Sequence, residues 1–293
     1  VALVGSESLL GRELRDLARD CAFELKLVAG GDEETGRLIE EAGEPVVLRG
    51  LEALSLAGSD AVLLAGSAES AAKALEFASG AALIDLTYAA ENHPRARLRA
   101  PLIEPEYYEA DPDAAHVVAH PAAVALALIL DALHREHAIV RSLAHVFEPA
   151  SERGRAGVEE LQQQTVALLS FKGLEKRIFD AQLSFNLLAG YGEEAPLALA
   201  DAELRIERHL ATLLAHSEGA PMPSLRLVQA PVFHGHSFSL WVEFEDNPGT
   251  AAVERALASD CFDVRADMEP PNIVGMAGQD EIGIGAVTVD RHD

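Results

Sequence analysis

The stretch His120-Pro121-Ala122-Ala123 is where this chain would be expected to place a reactive group. Val117 and Val118 run into the proline, and Val124, Leu126, Leu128, Ile129 and Leu133 leave it at helical spacing. Proline suits a first helical turn, where no N–H is required, so the pattern predicts a strand-to-helix junction with Ala122 and Ala123 in that turn. A helix start offers free N–H groups and a positive dipole end, where a thiolate or an anionic substrate group is favoured. Here the first turn presents only methyl groups. His234 and His236, two apart in a strand-like run, share a face, and with His120 they could gather a metal; no cysteine or carboxylate stands at ligand spacing, so no metal is expected.

A second constellation lies at the start of the chain. Val1-Ala2-Leu3-Val4 runs into Gly5-Ser6-Glu7-Ser8-Leu9-Leu10-Gly11, and Leu10, Leu14 and Leu17 continue with helical spacing. Gly5 and Gly11 stand where a dinucleotide fingerprint needs a tight turn and close helix packing, but its middle glycine is Ser8, and Glu7 adds a negative charge beside the anion position. Strand, turn and helix with two structural glycines is the alternative. An acid about twenty positions beyond the last glycine can bond a ribose diol and repel a 2′-phosphate; Asp32 fits, which favours NAD over NADP. Asp32, Glu33 and Glu34 could equally cap a helix through Leu38 and Ile39.

Composition narrows what these residues could serve. A chain of 293 residues with 49% hydrophobic content and a mean hydropathy of +0.09 can bury a substantial core and fits two domains. Its formal charge of −25 disfavours nucleic acid and anionic membrane surfaces as partners. The apolar run from Ala122 to Leu130 is too short to span a bilayer. Cys21 and Cys261 stand in no metal-ligand spacing, so free thiols in a reducing cytoplasm are expected.

Apolar runs at Glu24–Ala29, Val46–Leu48, Asp60–Ala65 and Ala81–Asp85 alternate with helical patterns, which predicts a parallel sheet covered on both faces. Beyond Pro121 come a helix to about His137, an alternating strand Ile139–Phe147, a loop Glu148–Gly157 and helices Val158–Leu169 and Asp201–Leu214. Paired strands Leu225–Val232 and His236–Glu245 follow, then a third strand Ile282–Val289. The expected fold is α/β: a Rossmann-like parallel sheet in residues 1–120 and an α+β domain in residues 121–293, whose mostly antiparallel sheet pairs with a second copy of the chain.

In order and spacing the motifs resemble the aspartate-semialdehyde dehydrogenase family, and more closely its Usg-type paralogues, over nearly the whole chain. The landmarks are the Gly5 to Gly11 loop, Ile84-Asp85, Pro105-Glu106, Val118-Ala119-x-Pro121, Gly154-x-x-Gly157-Val158-Glu159-Glu160-Leu161, Phe185-Asn186 and Pro231-Val232-x-x-Gly235-His236-Ser237. The resemblance implies a nicotinamide-binding first domain drawing on Gly5, Ser8, Gly11, Asp32 and Gly66, a dimerising second domain, and reductive dephosphorylation of β-aspartyl phosphate through a cysteine thioester. It also implies that Ala123 stands where the family has its nucleophilic cysteine, Glu148 where it has a glutamine, and Gln229, Glu91 and Ala286 where it has arginines. His236 matches the family's histidine, and Arg205 is either an anion contact or a solvated helix charge. Arg153 and Arg155 read as surface charges.

A thioester needs a thiolate, and losing a nucleophile alone costs on the order of a millionfold in turnover in well-studied hydrolases. Two functions are therefore expected to compete. One is a catalytically inactive, homodimeric paralogue with a vestigial NAD(P) site. The other is a divergent NAD(P)-dependent oxidoreductase that passes hydride directly to an aldehyde or oxo group of a small molecule, with His236 as the acid and Glu148 as the orienting group.

Overall fold

The computed structural model describes residues 1–41, 43–78, 80–104, 109–215, 219–265 and 269–291. The landmark Pro105-Glu106 lies outside them. The chain divides into two compact units, Val1–Ala119 and His120–Asp293.

In the first unit the chain forms β1 (Ala2–Val4), α1 (Leu9–Ala18), β2 (Lys26–Val28), β3 (Leu38–Glu41), β4 (Glu44–Val47), α2 (Ala53–Leu56), β5 (Ala61–Leu64), α3 (Ala68–Phe77), β6 (Ala82–Asp85), β7 (Ala96–Arg99) and β8 (Ala115–Val118). Six of these strands make one sheet in the order β2-β1-β5-β6-β8-β7, every neighbouring pair parallel. Alternate side chains of a strand point to opposite faces, and both faces are apolar here, as expected of a sheet covered on two sides. Ala2, Val4, Val28, Val62 and Leu64 pack with Ala71 and Ala74 of α3, while Leu3, Leu27, Ala29 and Ala65 pack with Leu14 of α1 and with Leu48.

One expectation fails in this unit. The segment through Leu38 and Ile39 is a strand, and Val46-Val47 pairs back on it as an antiparallel hairpin instead of joining the main sheet. Asp32–Glu34 forms a single 3-10 turn. The hairpin is held by a distant residue: buried Arg15 of α1 donates from Nε to Glu41 Oε2 (2.7 Å) and from Nη2 to the Glu40 carbonyl (2.7 Å). Arg49, just past the hairpin, bridges in parallel to Val28 of the main sheet.

The second unit contains α4 (Pro121–Glu136), β9 (Ile139–Glu148), α5 (Gly154–Leu169), α6 (Leu199–Leu214), β10 (Ser224–Gln229), β11 (Ser237–Phe244), α7 (Thr250–Ala256), β12 (Phe262–Val264) and β13 (Ile282–Ile284). Helix α4 is buried along most of its length and packs on α6. Strand β9 is central, parallel to β10 and antiparallel to β11, so this sheet is mixed rather than mostly antiparallel. β10 and β11 do not pair with each other. The link between them crosses the end of β9, where Ala150 N–H donates to the Val232 carbonyl (2.8 Å) and Ser151 N–H to the Phe233 carbonyl (3.0 Å). The run expected to be a strand to Val289 ends at Ile284 and pairs in parallel with β12; Gly283 and Gly285 lie against Pro271, where a Cβ would come within 2.7 and 2.4 Å of its ring.

Among the described residues no helix is long and apolar enough to cross a membrane.

Candidate functional site

The junction that opens the second unit forms as its residue types demand. β8 ends at Val118 and α4 begins at Pro121, with His120 as N-cap, its Nδ1 accepting from Ala122 N–H at 3.2 Å. His120 N–H donates to Nδ1 of His209 on α6 (2.9 Å), which fixes the cap. Ala122 and Ala123 are fully buried in the first turn.

The His120 ring faces Glu152, which lies in a 3-10 turn after β9, and His236, which lies just before β11. His120 Nε2 is 3.6 Å from Glu152 Oε2, and His236 Nε2 is 3.7 Å from Glu152 Oε1. The two imidazoles meet edge to face with centroids 5.5 Å apart, and Phe238 stacks on His236. His236 Nε2 is buried with no hydrogen-bond partner among the described residues. Burial pushes the His236 imidazole down to about 4, with Glu152 opposing and His120 adding to the shift, so the ring is neutral near pH 7. Burial works against the Glu152 charge, yet the His120 ring and the Arg153 guanidinium hold its carboxyl down to about 2. One ligand atom from each of His120, Glu152 and His236 lies within 4.8 Å of the others.

His234 takes no part and is exposed. The shared-face expectation fails because β11 begins only at Ser237, and Gly235, at φ +84°, turns the chain between the two histidines. The carboxylate that spacing did not reveal is Glu152.

Beside this cluster a second network forms around Glu148, which is fully buried. Arg153 Nη2 donates to Glu148 Oε1 at 2.7 Å, so Arg153 is an internal partner and not the surface charge expected. Tyr191 accepts from Arg153 Nε (3.2 Å) and donates to Gln229 Oε1 (2.5 Å), while Gln229 Nε2 donates to the carbonyls of Glu148 (2.8 Å) and Ala230 (3.2 Å). Burial raises the Glu148 carboxyl above its ordinary range against the pull of Arg153, and Glu148 Oε2 has no hydrogen-bond partner among the described residues. Arg205 is a half-buried position on α6, and Ala286 is exposed after β13 with φ +54°.

In the first unit the structure brings Gly5, Ser8, Gly11 and Gly66 together. A Cβ on Gly5, which has φ +79°, would sit 2.2 Å from Gly66 Cα, and one on Gly11 would sit 2.1 Å from the Gly5 carbonyl oxygen. Ser8 caps α1 by accepting from Gly11 N–H (2.8 Å) and donates to the Ala65 carbonyl (2.6 Å). Elsewhere in the loop, Gly5 and Ser6 N–H donate to the Val28 carbonyl, and Ser8 N–H donates to the Gly5 carbonyl. Glu7 is paired with Arg12 (2.8 Å) and with Arg15. Asp32 has a 99% exposed side chain 3.9 Å from Lys73 Nζ, and Glu34 accepts from Gly30 N–H (2.8 Å). Glu91 lies in the turn after β6, where its N–H donates to the Tyr88 carbonyl.

Residues 128–293 match the family model described as semialdehyde dehydrogenase, dimerisation domain. The chain belongs to the semialdehyde dehydrogenase family. It is 38% identical over 145 residues to the USG-1 protein homolog of Pseudomonas aeruginosa, a match covering 49% of this chain and 43% of that protein. The USG-1 protein homolog of Azotobacter vinelandii is 29% identical over 307 residues, 100% of this chain and 88% of its own length. The structure of a probable aspartate-semialdehyde dehydrogenase from Pseudomonas aeruginosa superposes with a TM-score of 0.83 at 30% identity, covering 100% of this chain and 89% of that one. The Candida albicans enzyme, solved with NADP, has a TM-score of 0.65 at 13% identity over 92% of this chain and 83% of its own, and shows the fold alone.

Several family motifs prove to be packing devices in this chain. Gly157 lies against the Ala150 carbonyl, where a Cβ would come within 2.4 Å. Glu160 accepts from the N–H groups of Arg177 (2.6 Å), Ile178 (2.7 Å) and Phe179 (3.3 Å), so a buried carboxylate organises the irregular segment after α5. Sequence reasoning missed Glu152, Arg153 and Tyr191 as site residues. The available signals were an adjacent acid and base just past the end of a strand, and a lone aromatic between Gly190 and Gly192.

Proposed function

We propose that this chain is a member of the semialdehyde dehydrogenase family that does not run the thioester reaction, and that it acts through binding and self-association, with a vestigial nucleotide site. The observation that carries this reading is the fully buried Ala123 in the first turn of α4, the position that the resemblance assigns to the nucleophile. A methyl group cannot attack a carbonyl. Neither cysteine substitutes for it: Cys21 is exposed just past α1, and Cys261 lies in the turn before β12, both away from a helix N-terminus that would favour a thiolate. The positions assigned to substrate-binding groups are also spent internally. Gln229 gives its amide to the Glu148 and Ala230 carbonyls, and Glu148 is neutralised by Arg153.

The glycine loop supports the fold better than it supports an anion. Gly5 and Gly11 are required by backbone approach and Gly66 by the Ser70 hydroxyl, the amides of Gly5, Ser6, Ser8 and Gly11 have internal acceptors, and Glu7 adds negative charge. A pyrophosphate would have to displace those acceptors. The acidic turn Asp32–Glu34 favours NAD over NADP for whatever affinity remains. The partner is a second copy of the chain, joined through the domain that the family model describes as dimerising, and the two free thiols suit the cytoplasm.

His236 favours a second reading, a divergent oxidoreductase using direct hydride transfer, because its buried Nε2 lacks a partner. A steady-state assay with aspartate semialdehyde, phosphate and either NAD or NADP tests the first reading: no turnover is expected with either nucleotide, and an ordinary enzymatic rate would overturn it. Calorimetric titration with NAD, NADP and their reduced forms tests the second, which requires tight nucleotide binding.

A further inference from the structure

We propose that His120, Glu152 and His236 form a binding site for a divalent transition-metal ion of the zinc class. The site goes beyond the reading above and does not depend on it. Zinc takes imidazole nitrogen and carboxylate oxygen at about 2.0–2.2 Å, and in a tetrahedral shell such ligand atoms stand about 3.3–3.5 Å apart. His120 Nε2 lies 3.6 Å from Glu152 Oε2 and His236 Nε2 lies 3.7 Å from the other oxygen, Oε1, and one ligand atom from each residue falls within 4.8 Å of the other two. A modest closing of the two rings on the carboxylate therefore completes three coordination positions. Two imidazoles and one carboxylate leave a fourth position for water or an anion, the ligand count of an open rather than a closed zinc site. The nitrogen-rich donor set argues against calcium or magnesium, which select oxygen.

Two features distinguish this cluster from a chance meeting of polar groups. His236 Nε2 is buried against Glu152 without a hydrogen bond, a state that a metal bond would relieve. The ligands come from separate places in the chain that other bonds hold in position: His120 through His209 on α6, and the Glu152 turn through the links of Ala150 and Ser151 to the segment entering His236.

Metal capture has one structural consequence. His120 Nδ1 now accepts from Ala122 N–H, so a metal bond at Nε2 places the ring proton on Nδ1 and releases that cap. The Ala122 amide should shift when the site fills, which an ion held on the acidic surface would not cause.

The test uses the full chain with Cys21→Ser, to remove an exposed thiol. Equilibrium dialysis with Zn²⁺ in excess Mg²⁺ should give one ion per chain, and Glu152→Gln and His236→Phe, each checked for native circular dichroism, should weaken that binding at least a hundredfold. Co²⁺ in the same chain should give the visible absorption of a four- or five-coordinate nitrogen and oxygen site without sulfur charge transfer. Zinc binding unchanged in both variants, displacement by Mg²⁺, or a sulfur-ligated cobalt spectrum would overturn the proposal. Because the cobalt spectrum is read on the chain with its site intact, a variant that failed to fold would leave the question decidable.

Discussion

The glycine loop of the first unit and the histidine cluster of the second sit at comparable places, each where a strand gives way to a helix or turn, yet they are finished differently. In the loop, Ser8 has found the Ala65 carbonyl and the Gly11 amide, Glu7 has found two arginines, and the glycines press backbone on backbone. In the cluster, His236 Nε2 and nearby Glu148 Oε2 are buried without hydrogen-bond partners among the described residues. Satisfied polar groups stabilise a fold; unsatisfied buried ones cost about 1–3 kcal/mol each and usually persist for a reason beyond stability. The difference is that the polar groups named in the loop are spent within the fold, whereas buried polar atoms around His236 are left without protein partners; on the function proposed above, the loop serves as structure and the room for a ligand lies around His236.

The strongest way to break this comparison is to show that the loop is not structural. Gly5→Ala should cost more than about 4 kcal/mol, because the added Cβ meets the Gly66 backbone and the residue keeps a positive φ; chemical denaturation should find the first unit unfolded or nearly so. Near-native stability would mean that the loop has room for a ligand. On the other side, Arg153→Met strands the buried Glu148 charge and should destabilise by about 3–5 kcal/mol, and the double variant with Glu148→Gln should recover most of it. An equal loss in single and double variants would contradict the pairing.

A smaller effect sharpens the account of Ser8. Ser8→Ala removes an N-cap and a bond to Ala65 and should cost about 1 kcal/mol, whereas a residue serving nucleotide binding would change affinity and leave the denaturation midpoint in place. The smallest effects are two pH slopes of opposite sign. Glu104 in the first unit is held below its ordinary value of 4.5 by its hydrogen bond and ion pair with Arg99, so its stabilisation is present above pH 4.5 and disappears as the pH falls through its folded value. Burial raises Glu148 above 4.5, so the folded state holds its proton more tightly, and stability falls as pH rises from 4.5 through the folded value. Glu104→Gln and Glu148→Gln should each remove one of these slopes from midpoints measured across pH. The same sign in both variants would contradict the contrast.

Much of the fold was legible because its signals were local. Val1 to Gly11 carries strand, turn and cap within eleven residues, and Val117 to Leu133 carries strand, N1 proline and apolar helix in one run. What stayed illegible was decided at a distance. Leu38 and Ile39 fit helical spacing, but Arg15 pins Glu40 and Glu41 into a hairpin from more than twenty residues away. The parallel pairing of β9 with β10 depends on a crossover past the end of β9, which nothing in the alternation of either strand announces. Glu152 could not be joined to His120 and His236 by spacing because the three residues meet only through tertiary packing.

The central claim is that no covalent thioester forms on this chain. Rapid mixing of the protein, in molar excess, with aspartate semialdehyde, phosphate and either NAD or NADP, in parallel, detects even one slow acylation per chain through the absorbance of the reduced nucleotide. The account predicts no burst above that of a buffer blank; a burst equal to the aldehyde added would show that acylation occurs and that the position of Ala123 does not decide the chemistry.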